Sequence, residues 1–421
     1  VTGQSIPWWG DVAGTQYDDK SRYSRVATPW EYHDNLHDFM EMGYISSTNF
    51  DVAQKGEKGS FRISGMFTNQ KDKVPNSDLK TGGLTFKSTT FLSEKLTLDS
   101  KLSYNKVYSP NYPRYGYGPK NHMYTILIWM GDDVSGRDLR EHLYIPGQEG
   151  YRQANWNYAW YNNPYFAAYE LNQKYDSDVI NGQLMLNYEV TKDINVQARG
   201  SAVLNNTFQD RQSPKSYLNY GDPREGDYKT WNEKLTHVDM DVLASYDKNF
   251  SDKFGINVNV GASSFIRKFQ EEYNATDGLI VPFVYSLNNT ERNVKATTDV
   301  NKKVINSVYA TLGLDFLNAF FFNFTARNDW SSTLPEANRS YFYPSASLST
   351  VLSNLIEMPK SIDFVKLYGS WAEVSSDLQP YQTSSYYENV GSFAGRTELS
   401  YPGVIVNPNI EPENSTSYEL G

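Results

Sequence analysis

Tyrosine and tryptophan crowd one long segment of the chain. Tyr112, Tyr115, Tyr117, Trp129, Tyr151, Trp156, Tyr158, Trp160 and Tyr161 all fall between residues 107 and 180, set among polar residues. Exposed aromatic faces stack on sugar rings or peptide side chains, and Asn, Asp and Arg supply oriented hydrogen bonds. Trp129, Trp156, Tyr158 and Trp160 are therefore the candidate substrate-binding residues. The alternative is that these rings pack the segment against itself, because a connection of this length must be held by something.

Covalent chemistry has little to work with. His33, His37, His122, His142 and His237 form no HExxH or paired-ligand spacing, and cysteine is absent, which removes disulfides, thiolate metal sites and cysteine nucleophiles. His33 and His37, four apart, could share one face of a helix as two metal ligands; a surface helix is the plainer reading. Asp132-Asp133 and Glu271-Glu272 could serve hydrolysis or calcium binding, but both pairs fall in expected loops, where solvated charge is the plainer role. No enzymatic activity, cofactor or metal is expected.

A balance of 39 Lys+Arg against 49 Asp+Glu gives a net charge of -10, without the clustered cations that nucleic-acid phosphates require. The most apolar run, YTILIWM at 124–130, is far too short for a membrane-spanning helix. The first residues, VTGQSIPWWGDVAG, lack the charged and apolar regions of a secretory leader. Aromatic residues make up 15% of the chain, a content that suits either a rich all-β core or a surface dry at one end and wet at the other.

Period-two alternation supplies the elements that would position these residues. Leu184, Leu186, Tyr188 and Val190 alternate with polar residues, as do Ile194, Val196 and Ala198, across a turn at Thr191 to Asp193. The pattern returns on either side of Ser251 to Lys253, of Leu317 to Ala319 and of Leu92 to Lys95. In LGLDFLNAFFFNFTARNDW, Phe320, Phe322 and Phe324 share one face with Ala326, and Phe321, Asn323, Thr325 and Arg327 share the other. The remaining connections are long: about 107–180, 206–235, 264–303, 327–342 and 374–414. Compact soluble domains rarely tolerate several such loops. Short turns at one end, long loops at the other and strands of about ten residues match an antiparallel transmembrane β-barrel, which satisfies every backbone hydrogen bond inside lipid. Phe320, Phe322 and Phe324 would then face lipid. Arg199, Asp239, Asp241 and Arg327, with Asn187 and Asn257, would face a wet lumen.

Several segments, in order, resemble the SusC/RagA family of TonB-dependent outer-membrane transporters: GSFRISGMFTNQKDKV at 59–74, NNPYF at 162–166, ARNDWSSTLPEANRSYFYPSASLSTVLS at 326–353, VKLYGSWAEVSS at 365–376 and NPNIEPENSTSYELG at 407–421. The resemblance implies a lead-in segment at 1–45 and an incomplete barrel over 46–421, with about 13 strands of a barrel of about 22. It also implies an internal portion of a longer chain, whose plug and TonB-contacting segment lie elsewhere; Arg199, Asp239, Asp241 and Arg327 would then contact that plug rather than a wet lumen. The implied activity is active import of oligosaccharides or oligopeptides across the outer membrane of a Gram-negative, Bacteroidetes-like bacterium. A SusD-like surface lipoprotein would cap the barrel, and the TonB complex would energise it. The alternatives are a soluble secreted all-β carbohydrate-binding or glycan-cleaving protein, and a passive porin without a plug.

Overall fold

The computed structural model describes residues 31–421 other than 158, 159 and 360. The chain enters through a short helix, α1 (Asn35–Phe39), and then builds one antiparallel sheet by successive hairpins. The first strands are β1 (Tyr44–Gly56), β2 (Gly59–Lys71), β3 (Asp78–Phe91) and β4 (Leu96–Ser109). The connection after β4 carries α2 (His122–Tyr124), a π-helical turn at Thr125–Trp129, α3 (Gly136–Glu141) and α4 (Pro164–Tyr169). The longest strands follow: β5 (Asn172–Thr191), β6 (Ile194–Ser213), β7 (Asp227–Ser251), β8 (Phe254–Ala275) and β9 (Lys295–Phe316). Shorter ones, β10 (Phe320–Ser331), β11 (Ser340–Val351) and β12 (Lys366–Ser376), lead to a separate hairpin, β13 (Glu388–Phe393) and β14 (Arg396–Ser400), and then to β15 (Glu413–Leu420).

Each strand of the main sheet pairs with its sequence neighbours, except that β12 pairs with β15, which makes 13 strands. The outer edges of β1 and β15 are unpaired, so the sheet is an open arc of a barrel. The all-β antiparallel fold and its strand number agree with the sequence reading.

Register sorts the side chains. Ile256, Leu314, Phe322 and Leu348 form one row across β8, β9, β10 and β11. Val258, Leu312, Phe324 and Ala346 form the next row on that face. Between them, on the opposite face, lies the polar row Asn257, Gly313, Asn323 and Ser347. One face is thus almost wholly apolar and the other polar, the pattern of a barrel with lipid outside and water within.

At one end the hairpins are tight. Leu317 and Asn318 both adopt positive φ, 59° and 50°, as a turn matched to strand twist requires. Neighbouring turns are tied together, with Asn318 Nδ2 donating to Asp252 O at 2.9 Å and Asn354 Nδ2 to Asn318 O at 2.7 Å. The rings of Phe250 and Phe254 stack at 5.8 Å beside the β7–β8 turn. The β11–β12 connection is the long exception at this end.

At the opposite end the strands run further than alternation indicates. β8 continues through Arg267 to Ala275 and β9 begins at Lys295, inside the segment read as a loop. Above the apolar belt both faces are wet, so the backbone ladder persists without any alternation of hydrophobicity. Glu271-Glu272 accordingly lies on a strand, with Glu271 on the polar face opposite Glu233 and Glu272 on the other. His33 precedes the Asp34 cap of α1, so His33 and His37 do not share a helical face.

Candidate ligand-binding face

The long connection after β4 folds into a compact unit, and the main core of the molecule lies there. Phe39, Ile126, Met130, Leu139, Ile145, Ala154, Tyr165 and Ala168 form a buried cluster. Asn and Ser start each helix: Asn121 caps α2, Ser135 caps α3 and Asn163 caps α4 ahead of Pro164. Buried amides tie the irregular backbone together. Asn163 Nδ2 donates to Leu139 O at 2.8 Å and Ala154 O at 3.0 Å, and Asn162 Nδ2 donates to Pro119 O at 3.1 Å and Leu218 O at 2.8 Å. The NNPYF run is scaffold: all five of its residues are buried.

The aromatic candidates divide on this scaffold. Tyr161 stacks between Trp129, at 5.1 Å, and Trp156, at 6.0 Å, so two candidates meet through a ring not chosen as one. Trp156 also packs against the buried cluster, whereas Trp129 stays about half exposed. Tyr117 and Tyr220 extend the wall through Tyr124. Trp160 is 62% exposed, and its backbone N–H donates to Asn157 Oδ1. Tyr158 lies outside the described residues.

The four charged candidates converge. Arg199, Asp239, Asp241 and Arg327 line one cavity of about 620 Å³ on the polar face, with Lys303 and Tyr309. Arg199 pairs with Asp241 at 3.1 Å, and Asp241 accepts from Tyr309 Oη at 2.9 Å. Arg327 pairs with Asp329 at 2.8 Å and donates to Ser307 Oγ at 2.8 Å. Asp239 pairs with His237 at 2.9 Å. The line continues at the loop end, where Asp377 accepts from Lys303 Nζ at 2.5 Å and from Thr333 Oγ1 at 3.1 Å. Phe320, Phe322 and Phe324 lie on the opposite, apolar face.

Beneath the folded connection the polar face holds a second cavity, of about 460 Å³. Tyr112, Arg114 and Tyr115 descend into it from above, and Arg211, Trp231, Glu233 and Glu271 rise from the strands. Arg114 Nε donates to Gln173 Oε1 at 2.8 Å and Nη1 to Tyr217 Oη at 2.9 Å, leaving the third guanidinium nitrogen, Nη2, buried without a hydrogen-bond partner among the described residues. Beside it, Asp222 accepts from Arg211 at 2.9 Å and Lys229 at 2.5 Å. Burial pushes the Asp222 carboxyl up, but Arg211 and Lys229 outweigh that and hold it below the usual carboxylate range. The site can meet a ligand carrying both signs of charge, with rings for its apolar parts. Attention to aromatic residues alone overlooked Arg114, although it stands among them in YPRYGYGP.

His122, packed at 5.5 Å from Phe39, is buried. Desolvation, reinforced by Arg114, lowers its pKa to about 4.

Residues 128–421 match the family described as TonB dependent receptor-like, beta-barrel. A TonB-dependent receptor, P3, of Formosa agariphila is 22% identical over 212 residues, which are 49% of this chain and 20% of that protein. Among solved structures, the RagAB peptide transporter aligns with a TM-score of 0.79 at 15% identity, covering 99% of this chain and 46% of that one. The siderophore receptor PiuA from Acinetobacter baumannii aligns with a TM-score of 0.51 at 10% identity, covering 90% of this chain and 53% of that one. The fold is therefore of the SusC/RagA type, as the motifs imply, and the chain spans only part of the length of these relatives. By the extent of the family match, the chain belongs to the TonB-dependent receptor-like β-barrels.

Proposed function

We propose that this chain supplies residues 46–421 of the barrel, with residues 1–45 leading into it, for a TonB-dependent importer of the outer membrane. The importer takes up oligosaccharides or oligopeptides under a SusD-like lipoprotein lid. The observation that carries the reading is the sorting of apolar and polar rows to opposite faces of a sheet whose tight turns and long folded connections occupy opposite ends. The likeness in fold to the RagAB peptide transporter supports the cargo class. Ligand enters at the long-loop end, meets Trp129 and Trp160, and reaches Arg114, Trp231 and the paired Glu233 and Glu271. Trp156 holds that wall, and Tyr158 is proposed as a further ligand contact. Arg199, Asp239, Asp241 and Arg327 meet the plug that fills the lumen, and Phe320, Phe322 and Phe324 meet lipid.

The test is isolation of the full-length protein from its native membranes. It should fractionate with the outer membrane, require detergent, and bring with it a surface lipoprotein and a glycan or peptide identifiable by mass spectrometry. A full-length protein that stays folded and monomeric in buffer without detergent would sink this reading.

A further inference from the structure

The apolar face carries a cationic feature that import does not use. Just above the apolar rows, on the long-loop side, Lys268 of β8 and Lys302 of β9 stand directly opposite each other in the ladder. Lys234 of β7 is one row higher, level with Gln270. All three are exposed, and no ion pair to any of them is found among the described residues. Like charges directly opposed across a ladder destabilise it unless an anion lies between them.

Two residues along β9 from Lys302, on the same face, Val304 opens a groove of about 390 Å³. Asn306, Trp330, Ser331, Ser332 and Arg339 complete its lining. Trp330 pairs in register with Asn306 and is 38% exposed, at the level where an interfacial aromatic belongs. Among the described residues the Arg339 guanidinium makes one ion pair, a long one of 3.8 Å to the exposed Glu336. The nearest carboxylate among the outward rows, Glu272, lies on the loop side of the lysines and accepts from Asn232 and Gln270. Below the groove, Val308, Val260 and Val242 are exposed and apolar. Cationic residues thus sit above a slot that opens onto exposed valines on the face turned away from the lumen.

We infer that this groove binds a phosphate-bearing lipid of the leaflet on the long-loop side. Lys268, Lys302 and Arg339 hold the phosphorylated headgroup, Trp330 lies at the headgroup level and an acyl chain follows the valine rows. The inference rests on the outer-membrane reading. It adds an annular lipid site that fixes the height and tilt of β8 to β10 in the bilayer.

The experiment uses the full-length transporter, extracted in mild detergent and examined by native mass spectrometry with added lipid A, with chemically dephosphorylated lipid A or with inorganic phosphate. The wild type should retain lipid A and not the dephosphorylated form. K268Q/K302Q/R339Q should weaken that binding roughly 100-fold, at about fivefold per cation lost, while K192Q at the tight-turn end leaves it unchanged. Equal retention by wild type and triple variant, or of both lipid forms, overturns the site. Binding of inorganic phosphate as tightly as lipid A overturns the lipid assignment. Membrane fractionation of the same samples separates the two readings. Protein in the outer membrane without selective lipid binding removes only this site, and protein absent from the membrane removes the import reading and the lipid site with it.

Discussion

Asn323 and Phe324 are neighbours in the chain and face opposite ways. Phe324 lies midway along β10 between Leu312 and Ala346, and Asn323 lies between Gly313 and Ser347. If lipid covers the apolar face, Phe324→Arg should destabilise the inserted barrel by about 2–4 kcal/mol and Asn323→Arg by less than about 1 kcal/mol. Urea titration of the full-length barrel in liposomes, followed by heat-modifiable gel mobility, measures both. Equal effects would mean that the two faces see the same solvent. His122 makes a prediction of the same scale in water. Its folded pKa, about 4, is below the unfolded value, so the unfolded chain binds the extra proton first as pH falls. The stabilisation is whole above the unfolded pKa, near 6.5, and is lost progressively down to about 4, amounting to about 3 kcal/mol. Hydrogen exchange of the 110–171 unit across that range should show it loosening in acid, and His122→Leu should flatten the dependence.

The 110–171 unit is held by side-chain amides more than by its short helices, so its stability should hinge on single asparagines. Asn163→Ala removes the α4 cap and strands carbonyls at Leu139 and Ala154, at a cost of about 2–4 kcal/mol. Limited proteolysis should then cut within 110–171 while the strands stay protected. The tryptophans divide on the same logic. Trp160→Ala removes an exposed ring and should weaken uptake without altering proteolysis, whereas Trp156→Ala should loosen the unit because it packs on the core. Unchanged uptake in Trp160→Ala would remove that residue from the site. What the sequence made legible follows the same division. The turns at Leu92 to Lys95 and Leu317 to Ala319 fall where alternation places them, because inside the belt every second side chain is forced to be apolar. The upper parts of β8 and β9 were illegible because a ladder in water imposes no such rule. The buried amide network was illegible too, since asparagine in a loop reads as a turn residue until its partners, some dozens of residues away, are known.

At the scale of the molecule, the sheet stores its largest unmet demand at its rims. β12 pairs with β15 and β1 pairs with β2, but the far sides of β1 and β15 present rows of unpaired N–H and C=O groups. Most β1 and β15 side chains are exposed on both faces. In water such edges recruit other chains, and in lipid each unsatisfied group costs several kcal/mol, so neither surrounding tolerates the arc alone. Residues 31–421 expressed and refolded by themselves should therefore give strand-rich oligomers and no protease-resistant, heat-modifiable monomer, at any detergent or lipid composition. The full-length protein should give that monomer. The chain is free of cysteine, so pairs introduced at the rims can be read cleanly. Cysteines placed on β1 and β15 of the full-length protein should cross-link to other strands of the same molecule. Cross-links between molecules instead would mean that closure is shared among copies, and the barrel would then be an assembly.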